Sequence, residues 1–376
     1  MSILQLGKFY PPDVGGIEYF MYDLTEELNK NGTQCDVLCS NSEKEYKEEI
    51  INGYRVYRTK SYGKFASTSI TPQMIFKLRE IINNYDIIHI HFPDPIAIFA
   101  LMIAYNQNIK IITHWHSDII KQKYLKRFFL PFQNWLLKNS NRIISTSTNY
   151  IESSIDLKNY KDKCIAIPSG LNPDRLIVNE KIFNKLKNQY KDKNIIYSFG
   201  RMTEYKGFEY LIDSANYLGD DYIILIVGGG NNKKYREMIK LKNLDNKVKL
   251  LGRIKDDEVG AYYKLCDVFV LPSITRNEAF GLVQCEAMFF GKPVVSTDIE
   301  GSGVSFVNKH NVTGFIVPVK NSEVIAKACK QIINNKNLYN KFSINSKKRF
   351  EEMFHIKSIT DKIIQVYKEI LNDNKN

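Results

Sequence analysis

A chain of 376 residues, 44% hydrophobic and 25% charged, is too long for one simple core and has ample material to bury, so two domains of ordinary size are expected and wholesale disorder is excluded. The net charge of +12 and the pI near 9.1 favour an anionic partner, but they do not choose among nucleic acid, an acidic membrane surface and a phosphorylated substrate. Apolar runs such as Ile96 to Ala104 are too short to cross a bilayer, and Met1 leads into a strand without a basic and apolar leader, so a cytoplasmic protein is expected. Cysteines 35, 39, 164, 266, 285 and 329 follow no Cys-x-x-Cys spacing and read as reduced core residues.

In chain order, apolar strands alternate with helical segments: Ile3 to Leu6, a helix from Gly16 to Asn31, Cys35 to Cys39, Tyr54 to Tyr57, a helix from Pro72 to Asn83, and Ile87 to His91. A helix from Pro95 to Ala104, Lys110 to Thr113, a helical stretch to Lys138, Arg142 to Ser145 and Cys164 to Ile167 complete the series. A second series starts at Asn194 and runs through Ile195 to Phe199, Tyr222 to Val227, Val248 to Leu250, Val268 to Leu271, Pro293 to Ser296 and Phe315 to Val317, with helices between. This alternation predicts two α/β, doubly wound domains. The turn-rich Pro168 to Pro173 segment divides them: residues 1–170 form the first domain and 171–355 the second, with the last helix, about 356–372, packing back on the first.

Ligands of doubly wound sheets sit beyond the C-terminal strand ends, so the turns there are the candidate sites. Tyr10-Pro11-Pro12-Asp13-Val14-Gly15-Gly16 is a strand-to-helix loop that is either a tight turn or a backbone contact for phosphate or sugar. Thr113-His114-Trp115-His116-Ser117-Asp118 follows a strand directly, and His89 and His91 occupy another strand end, read as structural or acceptor-side. A four-histidine metal site would require two separate turns to meet, which the spacing does not support, and no metal is expected. In the second domain, Arg201 and Lys206 flank the first strand-to-helix turn and are candidates to converge on a diphosphate. Gly228-Gly229-Gly230 lacks the Gly-x-Gly-x-x-Gly order of a dinucleotide loop.

The densest signal lies between Thr275 and Met288. Glu278 is placed on the loop that follows the Val268 to Leu271 strand, and Glu286 inside a helix expected over Phe280 to Phe290. The N–H groups at Gly281 and Leu282 would hold an anion at that helix start, and eight residues of pure helix would separate the glutamates by about 12 Å. Two carboxylates bracketing an anion site suit an elongated ligand with an anionic middle, as in a nucleotide-diphosphate sugar. Residues 121–142 form a further group: Lys121, Lys123, Lys126, Arg127, Lys138 and Arg142 are cationic, none is acidic, and five aromatics accompany them. That composition is interfacial, with Lys121, Lys123, Lys126 and Arg127 as the candidate contacts to an anionic membrane surface, although some of these aromatics must face the core.

Glu278-x7-Glu286 in its Glu-Ala-Phe-Gly-Leu context, Gly200-Arg201 with Lys206-Gly207, Gly15-Gly16 and the strand-end His116 together resemble the family 4 retaining glycosyltransferases. The likeness covers nearly the whole chain and implies the GT-B fold, two Rossmann-like domains facing across a cleft. By position it implies that Glu286 holds the donor ribose, Glu278 the sugar hydroxyls, and the Phe280, Gly281 and Leu282 amides the sugar and diphosphate. It further implies that Arg201 and Lys206 carry the phosphate charge, that Ile254 meets the base, and that His116 and Gly16 complete the site from the acceptor domain. The Tyr10-Pro11-Pro12 loop, the His-Trp-His-Ser-Asp segment and the Gly301 to Asn308 segment look most like the mannosyl- and rhamnosyltransferase branch of bacterial surface-polysaccharide synthesis.

That resemblance implies metal-independent transfer with retention, in which a nucleotide-sugar donor gives its hexose, GDP-mannose favoured, to a polyprenyl-diphosphate-linked oligosaccharide. His116, Arg201, Lys206 and Glu278 are then the residues nearest the chemistry, and no cofactor is needed. No Asp-x-Asp occurs in the chain, consistent with a grip on the diphosphate that uses no metal. UDP-N-acetylglucosamine, UDP-hexose and dTDP-rhamnose are alternative donors. A nucleotide-sugar epimerase or phosphorylase is a rival within enzymes, and a basic nucleic-acid-binding protein is the rival outside them. The latter would need aromatics interleaved with cations on an open groove, which only residues 121–142 combine, and nucleic acid is not expected as a partner.

Overall fold

The computed structural model describes residues 1–13, 15–65, 68–119 and 123–372, with side chains in the Lys123–Asn139 helix from residue 127 onward. The chain forms two compact units, Met1–Gly170 with the closing helix Ile356–Asn372, and Leu171–His355.

In the first unit the strands lie in the order Cys164–Ala166, Arg142–Ser145, Lys110–Trp115, Ile87–Phe92, Ser2–Leu6, Gln34–Ser40, Tyr54–Thr59 and Lys47–Ile51. Every neighbouring pair is parallel except the last, where Lys47–Ile51 runs antiparallel along the edge. That edge strand, Lys-Glu-Glu-Ile-Ile, escapes the apolar pattern because only a solvent-facing edge tolerates such charge. Strand order reverses on either side of Ser2–Leu6, which makes the gap between Ser2–Leu6 and Ile87–Phe92 the switch point. Ile3, Ile87, Ile112 and Ile144 share one core with Phe20, Leu24 and Leu28 of the Gly16–Lys30 helix and with Ile359, Ile363 and Tyr367 of Ile356–Asn372. The closing helix is thereby an integral layer of this unit.

The second unit is an all-parallel six-stranded sheet in the order Val248–Gly252, Tyr222–Val227, Asn194–Phe199, Val268–Leu271, Val294–Asp298 and Gly314–Pro318. Numbered along the unit this is 3-2-1-4-5-6, the Rossmann order, and its switch point falls between Asn194–Phe199 and Val268–Leu271. Tyr222–Val227 is buried throughout, as a strand covered on both faces must be. Five of the six free cysteines are buried, and Cys164 is half-buried.

Candidate functional site

In the second unit, two loops leave the strands that border the switch point. One carries Gly200, Arg201 and Lys206, and the other, residues 272–282, carries Glu278. The structure joins them. Lys206 Nζ lies 2.6 Å from Glu278 Oε2, with both side chains at least nine-tenths buried, and Ser273 Oγ donates to the same oxygen at 2.9 Å. Burial works against the Lys206 ammonium, but Glu278 and then Tyr205 outweigh it, so the lysine pKa is raised and the charge is kept. Arg201 is exposed and close enough to oppose that charge.

Glycines let these loops approach. Gly207 has φ +63°, and a Cβ there would sit 2.2 Å from the Pro272 carbonyl oxygen, which ties the Lys206 turn to the loop of Glu278. A Cβ on Gly228 would sit 1.7 Å from the Gly200 oxygen, and Met202 N donates to Gly229 O at 2.9 Å. Gly228-Gly229-Gly230 is therefore a close-packing device beside Arg201, which explains a glycine run without dinucleotide order. Gly228 N also donates to Gly252 O at 2.8 Å, which brings the Arg253-Ile254 turn alongside; Arg253 is exposed and Ile254 packs partly on the core.

The helix carrying Glu286 is shorter than its apolar spacing suggested: it runs Val283–Phe289 and not Phe280 to Phe290. Gly281 takes φ +77°, a left-handed turn that a helix interior does not contain, so Phe280, Gly281 and Leu282 form the approach to the first turn. Only the second half of the Glu278 to Glu286 interval is helical, and the pure-helix spacing of about 12 Å does not apply. The approach is braced from below: Gly303 N donates to Ala279 O at 2.7 Å and Ser302 Oγ donates to Glu278 O. Glu286 Oε2 accepts from Tyr263 Oη at 2.7 Å, and burial, followed by the nearby Glu286 charge, raises the tyrosine pKa well above its usual value, so it stays a donor.

In the first unit, His89, His91, His114 and His116 do meet, contrary to the expectation from turn spacing. They meet through strands and not turns. His89 and His91 are two apart on one face of Ile87–Phe92, His114 and His116 keep the same spacing, and the parallel register pairs His91 with His114. His91 Nδ1 lies 2.9 Å from His116 Nε2 and His91 Nε2 lies 2.7 Å from Gln5 Oε1, while His89 Nε2 lies 3.2 Å from His114 Nδ1 and His89 Nδ1 2.5 Å from Tyr367 Oη. Phe20 sets its edge against three of the rings.

Candidate nitrogens of His91, His114 and His116 fall within 4.8 Å of one another, the spacing of a ligand set. The 2.9 Å between His91 Nδ1 and His116 Nε2 is equally a direct hydrogen-bond distance, and the three ring planes lie within 10° of parallel. The geometry is that of a hydrogen-bonded array, kept neutral by burial. Desolvation lowers His89 and His116 to about 3 and takes His91 and His114 well below their ordinary range.

Gly16 opens the Gly16–Lys30 helix, and a Cβ there would meet nothing within 4 Å. The loop before it is held by Arg58, buried at 4% exposure, which donates to Tyr10 O at 3.0 Å and to Pro11 O while its Nε contacts Glu49 Oε1 at 2.6 Å. In the basic aromatic segment, Phe129 stacks on Phe92, Phe132 meets Phe99 and Trp135 meets Tyr105, whereas Phe128 is 79% exposed beside the exposed Arg127. Lys121 lies outside the described residues, as do the side chains of Lys123 and Lys126. No described helix is long and apolar enough to cross a membrane.

Sequence reasoning missed Ser273, Tyr263, Arg58 and Gln5, and it missed the meeting of the histidines. The period-2 spacing of His89/His91 and His114/His116 on consecutive parallel strands was the available signal for that meeting.

Comparison with known proteins identifies the family and the fold. The Glycosyltransferase Family 4 model matches residues 14–175 and the model for glycosyl transferases group 1 matches residues 179–349. The O-antigen chain mannosyltransferase C of Escherichia coli is 32% identical over 99% of each chain, and the D-rhamnosyltransferase WbpZ of Pseudomonas aeruginosa is 29% identical over 94% of this chain and 92% of that one. Among solved structures, the sucrose-phosphate synthase of Thermosynechococcus elongatus superposes with a TM-score of 0.80 at 20% identity, over 99% of this chain and all of that one. Anabaena Alr3699/HepE in complex with UDP-glucose gives 0.78 at 20% identity, over 98% of this chain and all of that one. The chain has the GT-B fold of two Rossmann-like domains and belongs to glycosyltransferase family 4.

Proposed function

We propose that this glycosyltransferase moves mannose from GDP-mannose, with retention and without a metal, to a polyprenyl-diphosphate-linked oligosaccharide of a bacterial surface polysaccharide. The observation that carries the reading is the buried Lys206–Glu278 pair at the Rossmann switch point, with Arg201 exposed beside it. A sugar diphosphate presents neutral hydroxyls at one end and a dianionic bridge next to them. In this reading Glu278 accepts from the hydroxyls, and Lys206 and Arg201 stabilise the charge that develops on the departing diphosphate. The Phe280, Gly281 and Leu282 amides line the path between, Glu286 with Tyr263 holds the ribose, and Ile254 meets the base. Within the first unit, His116 and Gly16 are the candidate substrate contacts.

The mannosyl choice rests on the relatives. One is named a mannosyltransferase and the other a D-rhamnosyltransferase, and D-rhamnose is mannose without its 6-hydroxyl, so the two donors differ at one position. Membrane docking rests on the exposed Arg127 and Phe128 next to Lys121, Lys123 and Lys126.

A thermal-shift panel of GDP-mannose, a GDP-linked rhamnose, UDP-glucose, UDP-galactose, UDP-N-acetylglucosamine and dTDP-rhamnose tests the donor, since a ligand of the folded state raises the midpoint by mass action. GDP-mannose is expected to give the largest shift and to transfer its sugar equally well in EDTA; a larger shift from a uridine donor would overturn the assignment. In flotation with anionic liposomes, reversing the four basic charges is expected to abolish binding.

A further inference from the structure

The histidine array contains two hydrogen-bonded chains that end differently. One runs Gln5, His91, His116, and the other Tyr367, His89, His114. The second ends in a dead end, because His114 Nε2 is fully buried without a partner. The first does not: His116 Nδ1 has no hydrogen-bond partner among the described residues, yet it is not one of the fully sealed, orphaned atoms.

Donor and acceptor roles along the first chain follow from its inner end. Gln5 turns its carbonyl oxygen to His91 Nε2 at 2.7 Å, and its own Nε2 is buried without a hydrogen-bond partner. A carbonyl only accepts, so His91 Nε2 carries the proton. Burial keeps the rings neutral, and a neutral imidazole has one N–H, so His91 Nδ1 is an acceptor and His116 Nε2 must donate to it. The chain therefore ends with a lone pair at His116 Nδ1. Reversing the Gln5 amide would reverse every step and place a proton there instead.

We propose that Gln5 and His91 are positioning residues that fix the tautomer of His116, holding it as the Nε2–H form so that its Nδ1 is offered as an acceptor to a hydroxyl of a sugar bound at the first unit. The functional half rests on the reading of His116 as a site residue; the tautomeric half does not. Strand register builds the device: Gln5 and His89 are Cα partners across the switch point, and the period of two brings His91 and then His116 into line on the same face. An acceptor fixed at Nδ1 favours a ligand hydroxyl and disfavours a phosphate oxygen, which has no proton to give.

Long-range proton–nitrogen correlation spectra of the full chain labelled with 15N-histidine read the tautomers directly. His91 and His116 are each expected as the Nε2–H form in the unaltered protein; an Nδ1–H form of His116 would overturn the proposal without any variant being needed. Gln5→Met removes the accepting carbonyl and is expected to mix the His116 tautomers and lower kcat tenfold or more while the thermal midpoint stays within a few degrees. An unchanged His116 signal in that variant would overturn the role of Gln5. Tyr367→Phe breaks only the closed chain, and is expected to alter the His89 and His114 signals and leave that of His116 in place. Normal turnover by His116→Ala would sink the site reading, and the spectra would still decide the tautomer on their own.

Discussion

The two units carry the same kind of sheet, and each buries polar side chains at its switch point, but they solve the cost of burial in opposite ways. The second unit keeps its charges and pairs them: Lys206 and Glu278 meet at 2.6 Å, and Ser273 satisfies the same carboxylate. The first unit removes the charge altogether, holding four imidazoles neutral in two hydrogen-bonded chains. A charged pair can answer charge that appears during a reaction, whereas a neutral array sets only where protons and lone pairs point. On the proposed reading, the charged solution of the second unit is the one suited to stabilising a leaving diphosphate.

Breaking the ion pair should have the largest effect. Lys206→Ala or Glu278→Ala leaves a buried charge without its partner, at a cost of about 3–5 kcal/mol in the stability of that unit. It also removes a preorganised group, and turnover should fall by about 10²–10³. The double variant Lys206→Met/Glu278→Gln should recover most of the stability and none of the turnover. Recovery of both would mean that the pair is structural only and would erase the contrast.

Acid is the corresponding probe of the neutral array. Buried His89 and His116 have pKa values of about 3, against about 6.5 in an unfolded chain, so between these values the unfolded state binds more protons and stability rises with pH. The contribution is complete above about pH 6.5 and is lost as pH falls toward 3, on the order of 1.4 kcal/mol per histidine per pH unit. Lys206, with its pKa raised, keeps its charge across that window. Both tryptophans, Trp115 and Trp135, lie in the first unit, so fluorescence-detected urea unfolding reports on that unit by itself. Its midpoint should drop clearly between pH 7.5 and 5.5, and a flat response would show that the array is not held neutral.

Arg201 sharpens the comparison from outside the core. Being exposed, it pays little for its charge and supports no packing. Arg201→Ala should lower turnover about tenfold, or 1.4 kcal/mol in the barrier, and leave stability within about 0.5 kcal/mol. A larger loss of stability than of rate would reassign it to structure.

Most of the fold was legible because βα alternation, the Pro168 to Pro173 turn and the fully apolar Tyr222–Val227 strand each have one physical reading. The Lys47–Ile51 strand was not, because an edge strand need not be apolar. Within the second unit, Lys206, Glu278 and Glu286 could be named from their spacing, but the contact between Lys206 and Glu278 could not, since it depends on Gly207 lying against the Pro272 carbonyl across 65 positions of sequence. The length of the helix after Gly281 was misjudged for a related reason: apolar spacing continues through Phe280, but a glycine at φ +77° ends the helix whatever its neighbours are. In the first unit the histidines were visible one strand at a time, and only register, which a single sequence does not carry, sets His91 beside His114.

Tyr263 and Glu286 offer the smallest and most selective test, because they combine the two solutions: a carboxylate and a buried neutral donor that orients it. The hydroxyl lies 2.7 Å from Glu286 Oε2 and 3.3 Å from the Val283 oxygen, so Tyr263 ties the acid to the start of its own helix. Tyr263→Phe keeps the ring that meets Tyr197 edge-on and stacks on Phe290, and removes only the donor. Losing one oriented hydrogen bond costs about 1 kcal/mol. If Glu286 grips the ribose, which changes little between bound donor and transition state, that cost should appear as about a fivefold rise in donor KM with kcat nearly unchanged. A fall in kcat at unaltered KM would move Glu286 from binding to the reacting end of the donor.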